Sequence, residues 1–516
     1  MKINKRSNPD KITRRRVLRG TGAVFGTGLL NHLPDTLASE SHFERRPAIA
    51  SALKEASQSV AAAWAEAITK ARYPDLAADV IKRTKLCLLD NLGVMAHTSR
   101  LKDSRTFLER PLAVGGLREA TVWGFNVSLP LETAAACNAF LIHGNEIDDS
   151  DFRSNYRPSC VSVAPALTVA DYAHASGREL ILAVAIAYTV NGLLAAKLHG
   201  LQGLGFMPSS VVGPGGAAAA AAKLLKFDLP KTAAALSLGI ASGGGLFQYY
   251  FDQTEEKKLR VARAARTGIE SALIAARGWA GPTHIVEGAA GMMPSYLRGT
   301  GRQVDYEAMK SDISKFDGAM YVFPKFTSCS ASITPFLDAL EPVYRREQIK
   351  AADVERFVIV NDWQPDSPFV QKILHFEPPP TLVGAQLNMN FSIALFICRG
   401  SASVYDFVEA RLQDQAILNL AARAGHEYAP PDRQWEVRLV MRDGRVIRAP
   451  FRRSNGETYE PEMAERRVEK FRSLTRHRLT DATSKQVIEM VEQLETVKDV
   501  TLWTQRIHQL FKSPKG

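Results

Sequence analysis

Residues 178–197 read RELILAVAIAYTVNGLLAAK, and the uncharged run inside them covers 17 residues, 180–196. A membrane-crossing helix needs about 20 apolar residues, and Tyr188, Thr189, Asn191 and Gly192 interrupt this one. It reads as a buried core helix, without stable membrane insertion. A helix that is apolar nearly all round has no face for solvent, so it belongs inside a bundle of several layers. Segments 76–96, 132–143, 165–175, 216–226 and 262–277 have similar lengths and stop signals. The fold class is therefore mainly α, with a large all-helical domain over 52–318. After that the pattern changes. Residues 354–360 alternate and are β-branched, and 435–441, Arg442-Asp443-Gly444 and 445–447 read as strand, turn and strand. With helical stretches at 330–340 and 386–399, this predicts a smaller α+β lid domain over 319–453. Polar-faced helices over 454–512 return to the helical domain.

At roughly 150 residues per domain, the 516 residues allow two or three domains. Apolar residues make up 46% and charged residues 23%, a globular balance that excludes disordered and collagen-like chains. The five cysteines are widely spaced with no CxxC pair, which argues against a disulfide framework. The net charge is +11, but residues 1–38 hold eight Lys/Arg against two Asp, so +6 sits there and +5 remains. No basic run carries interleaved aromatics, so no nucleic-acid partner is expected. The leader runs Thr13-Arg14-Arg15-Arg16-Val17-Leu18-Arg19, then weakly apolar from Gly20 to Leu30, then small residues ending at Ala38. This layout resembles a twin-arginine signal, with a disordered basic arm as the alternative. Export by the twin-arginine machinery to the periplasm is the expectation.

Four segments carry residues capable of chemistry. The densest is His143-Gly144-Asn145-Glu146-Ile147-Asp148-Asp149-Ser150-Asp151, followed by Arg153, Tyr156 and Arg157-Pro158-Ser159. Four carboxylates in six residues repel one another unless cations or a ligand relieve them. The loop is either an acid/base and substrate clamp or an acidic cap with solvated charges. Next, Gly213-Pro214-Gly215-Gly216 precedes an alanine run, and helix-start N–H groups there could hold a carboxylate; helix crowding also explains the glycines. Asp252 to Arg260 is a charged turn containing Lys257, and a desolvated lysine can act as a base. Lys325 and Cys329 lie at the proposed domain junction, where clefts form. No HxxxH or HExxH is present, so the sequence supports no metal site.

In order along the chain, HGNEIDDSD, RPSCVSVAPAL, GFMPSSVVGPGGAAAAAAKLL, EKKLRVARAARTGIESALIAARGWAGP and PKFTSCSASITPFLDAL resemble successive segments of the MmgE/PrpD family. That family includes 2-methylcitrate dehydratase, cis-aconitate decarboxylase and iminodisuccinate epimerase. The resemblance runs from about 58 to 505. It implies a homodimer with the site between the helical domain and the lid, working on small di- or tricarboxylates, and no cofactor. Glu146 matches the first acidic residue of the family's acidic motif, Asp149 the last, Ser150 its threonine, and Lys257 and Lys325 its two lysines. Family histidines are replaced by Asp151, Arg157, Met207, Arg260 and Thr334.

The resulting expectation is a lyase (dehydratase or decarboxylase) or an isomerase, in which a cationic cleft of Arg157, Lys257, Arg260 and Lys325 stabilises an enolate-like charge as the alpha proton leaves a small di- or tricarboxylate. Glu146 or Lys257 is the base, Asp149 completes the acidic set, and Ser150 or Tyr156 orients the leaving group. Met207 can neither carry a proton nor bind a carboxylate by charge. The competing expectation is thus a periplasmic carboxylate-binding protein that has lost catalysis.

Overall fold

A computed structural model describes residues 59–125, 127–430, 433–451 and 461–512. The leader at 1–38 lies outside the described residues. All of the described residues fall within one compact unit.

The opening stretch forms the helix Gly177–Lys197, capped by Ser176 in a capping box with Glu179. It is long and apolar enough to cross a membrane, yet 83% of its apolar window is buried within the protein. Around it pack Ser159–Tyr172, Pro208–Leu224 and, one layer on, Leu131–Ile142, Leu229–Ala241 and Glu256–Ala276. The expected helix 76–96 is Ala78–Thr98. Burial of these all-apolar faces supplies the driving force, about 25 cal/mol per Å² of apolar area removed from water.

Three of the helices in this half begin earlier than the sequence suggests. The helix expected at 165–175 starts at Ser159 and carries Pro165 inside it. The alanine helix starts at Pro208, not Gly216, so its glycine-rich segment lies in the interior and offers no helix-start N–H groups. Crowding is the reason. A Cβ on Gly213 would stand 2.7 Å from Val161, and one on Gly216 would stand 2.4 Å from Asn191. Pro214 lacks an N–H, which frees the carbonyl of Ser210, and the Gly244 N–H binds it at 3.2 Å. The helix expected at 262–277 likewise begins at Glu256, so the charged turn is largely a helical first turn.

The second half contains a four-stranded sheet in the order Gly425–Tyr428, Val354–Asn361, Trp435–Met441, Val446–Phe451. The first pair is parallel and the other two are antiparallel. Phe336, on the helix Thr334–Arg346, stacks on Trp435 at 5.5 Å and covers one face. The segment expected as one helix at 386–399 is two, Leu382–Leu387 and Met389–Arg399, with Asn388 capping the second. Pro461–Thr475 and Asp481–Glu492 then pack on Ala78–Thr98.

A two-residue ribbon decides the position of the site. Ser150–Asp151 pairs antiparallel with Val322–Phe323, which ties the acidic loop to the chain leading into Lys325.

Candidate active site

Every residue from His143 to Asp151 is buried, so the acidic loop is not a solvated cap. Glu146 sits at φ 51°, a left-handed conformation a glutamate adopts only when its surroundings hold it there. Its carboxylate receives two lysines from distant segments. Lys257, from the first turn of Glu256–Ala276, contacts Oε1. Lys325 lies 3.4 Å from Oε2, 3.9 Å from Asp148 Oδ1, and donates to the Cys329 carbonyl at 3.0 Å.

Two buried ammonium groups sharing one glutamate cannot both keep their protons cheaply. Burial, then Arg157, pushes the Lys325 ammonium down to about 7. Burial, then the Lys325 and Lys258 charges, pushes Lys257 well below the usual lysine range, against the pull of its Glu146 contact.

The sequence places His143 at the head of the acidic segment but assigns it no role. Its Nδ1 lies 2.7 Å from Asp148 Oδ2, so Nδ1 carries the hydrogen and donates it to the carboxylate. Nε2 has no hydrogen-bond partner among the described residues and lies 4.0 Å from Glu146 Oε1. Burial holds the imidazole neutral, down at about 4. Burial pushes Asp148 up, but His143, Lys325 and Arg157 together outweigh it and hold the carboxyl down at about 2. The pair is an oriented imidazole with its Nε2 lone pair on the side of the Glu146 carboxylate. The i, i+5 spacing of His143 and Asp148 across Gly144 was the available signal.

The other expected residues divide. Arg157 is buried; its Nη1 donates to Ser150 Oγ at 2.5 Å and Asn155 Oδ1 at 3.2 Å, and its N–H to Ser209 Oγ at 2.8 Å. Asp149 faces away from the lysines, onto the N–H and hydroxyl of Ser159 at 3.2 and 2.5 Å, and burial with Asp90 pushes it up to about 6. Asp151 pairs with Arg153 at 2.6 Å. The Tyr156 hydroxyl is buried without a hydrogen-bond partner among the described residues. Met207 is 3% exposed and caps Pro208–Leu224 through its backbone. Arg260 pairs with Glu256 at 2.5 Å rather than with a second cleft residue. Thr334 shares a hydrogen bond with Thr327 at 3.1 Å.

Donor atoms of His143, Asp148 and Cys160 come within 4.8 Å of one another. The imidazole is already bound to the carboxylate, and burial pushes the Cys160 thiol well up, so a hydrogen-bonded pair beside a neutral thiol accounts for the cluster. All five cysteines are free.

Two outer contacts hold the loop. Gln386, from the helix Leu382–Leu387, donates to Asn145 Oδ1 at 2.9 Å, beside Ser328, whose hydroxyl donates to the Asn145 carbonyl at 2.6 Å. From behind, Lys470 donates to the Ile147 carbonyl at 2.7 Å and pairs with Asp90 at 2.6 Å.

The chain is similar to known proteins over most of its length. Human cis-aconitate decarboxylase is 26% identical over 469 residues, covering 87% of this chain and 94% of its own length. The mouse cis-aconitate decarboxylase is 26% identical over 478 residues, covering 89% and 94%. The Aspergillus terreus cis-aconitate decarboxylase is 22% identical over 473 residues, covering 85% and 94%. The MmgE/PrpD N-terminal domain matches residues 62–305 and the C-terminal domain matches 327–496, so the chain belongs to the MmgE/PrpD family.

Proposed function

We propose that this chain is a lyase that forms and quenches negative charge on the carbon alpha to a carboxylate, as a decarboxylase or dehydratase of carboxylic acids. The observation that carries it is the convergence of Lys257 and Lys325 on Glu146, beside His143 oriented by Asp148. The relatives named as cis-aconitate decarboxylases support the reaction class.

In this reading Arg157 binds the substrate carboxylate, since its planar fork suits two carboxylate oxygens. Lys325, as the ammonium, stabilises the enolate-like charge. The neutral His143 Nε2 takes the alpha proton in dehydration; in decarboxylation the carbanion left by carbon dioxide takes its proton from the Lys325 ammonium, which is left as the neutral amine. Glu146 keeps Lys257 and Lys325 in place. The test is alpha-proton exchange in deuterated water over a panel of di- and tricarboxylates. Exchange that disappears in Lys257→Ala and Lys325→Ala supports the reading; unchanged turnover in both variants sinks it.

A second reading, a carboxylate-binding protein, is favoured by one observation: the buried Met207 where the family resemblance has a histidine. Binding without exchange by the native chain, with exchange appearing in Met207→His, would establish it. Export through the leader to the periplasm and a homodimeric assembly are part of the same proposal. Cell fractionation and light scattering test them.

A further inference from the structure

A cavity of about 620 Å³ lies between the sheet of the second half and the Ser150–Asp151 ribbon. Ligand pockets span about 300–1,000 Å³ and are mostly apolar with a few placed polar groups. One wall here is aromatic: Trp363, Phe369, Trp435 and Phe451, joined by Phe323 and Met320. Trp435 lies 5.5 Å from Trp363 and 6.0 Å from Phe451, ring edge against ring face, which fixes the wall. Trp363, Phe369, Phe451 and Phe323 are each only partly buried, so apolar area faces the cavity. Partly covered apolar area of this kind is what a ligand buries.

The opposite wall is polar and includes Ser150, Asn155, Ser332 and Thr334. Ser150 and Asn155 supply the side-chain oxygens that accept from Arg157 Nη1, at 2.5 and 3.2 Å. The cavity is therefore one side chain away from the guanidinium assigned to the substrate carboxylate. A tricarboxylate has no group to set against four aromatic rings. An acid carrying an apolar ring would bury them, while its carboxylate displaced Ser150 and Asn155 from Arg157.

We propose that this cavity binds the apolar substituent of the substrate, and that the substrate class is a carboxylic acid bearing an aromatic or bulky apolar group. This rests on the reading of Arg157 and the lysines as a carboxylate cleft.

The test is calorimetric titration of the full chain with benzylsuccinate, which has a ring, and with tricarballylate, which has none. Expected is at least tenfold tighter binding of benzylsuccinate. Trp363→Ala should remove that preference and leave tricarballylate binding unchanged; Phe369→Leu should reduce it in the same direction. Equal or tighter binding of tricarballylate overturns the proposal and leaves the carboxylate cleft standing. Retention of the full benzylsuccinate preference in both variants also overturns it. Failure of both acids to bind would overturn the cleft reading, and this inference with it.

Discussion

Gln386 Nε2 lies 2.9 Å from Asn145 Oδ1, so a side chain of the second half grips the residue just before Glu146. The same amide reaches Ser328 Oγ at 2.9 Å, and all three residues are buried. Leaving a buried polar partner unmatched costs about 1–3 kcal/mol. Gln386→Ala should lower the melting temperature accordingly and reduce kcat/KM by more than tenfold, since Glu146 would lose its neighbour's restraint. An unchanged melting temperature would show that the contact holds nothing.

Lys470 and Asp90 form a buried pair at 2.6 Å behind the loop. Removing one partner of such a pair leaves a buried charge and costs about 3–5 kcal/mol. Lys470→Met should therefore destabilise the protein strongly in urea denaturation. Adding Asp90→Leu to that variant should restore most of the loss, and a double variant no better than the single one would refute the account.

Asp149 and His143 give opposite pH signs. Asp149 is raised to about 6 in the folded state from 3.8, so the fold takes up a proton that the unfolded chain lacks. That contribution favours folding at low pH and is lost as pH rises through 6. His143 is lowered from 6.5 to about 4, so its contribution is present above 6.5 and is lost as pH falls toward 4. Asp149→Asn mimics the protonated form and can keep both Ser159 contacts. Relative to wild type, it should gain stability at pH 8 and gain little at pH 4, by thermal denaturation at the two values.

Activity should depend on pH through the same groups. If neutral His143 and charged Lys325 are required, kcat/KM rises through about 4 and falls through about 7. Lys325→Arg, which keeps its proton, should abolish the alkaline fall even where the rate drops. A profile unchanged on the alkaline side in that variant would remove Lys325 from the charge-stabilising role.

The local elements were largely legible in the sequence because their signals are local. The apolar run at 180–196 and the Asp443-Gly444 turn each state their own conformation. Helix starts at Ser159 and Pro208 were not legible, because Pro165 and Gly213 to Gly216 look like breakers until Val161 and Asn191 are seen pressing on the glycines. The two lysines and Glu146 were legible through the family resemblance. The role of His143 was not, nor were Gln386 and Lys470. Gln386 and Lys470 meet their partners across 241 and 323 residues of chain, and nothing in the immediate sequence marks them.

The ribbon that joins Ser150–Asp151 to Val322–Phe323 bears on the order of events at the ribosome. Synthesis proceeds from the N-terminus, so the helical layers around 177–197 can collapse while the chain beyond 322 is still unmade. At that stage Asp148, Asp149 and Asp151 already have His143, Ser159 and Arg153, and Glu146 has Lys257, but Lys325 and Lys470 are still missing. The second oxygen of Glu146 and the carbonyl of Ile147 would thus be left to water until Lys325 and then Lys470 emerge, so the loop is closed from the front before it is closed from behind.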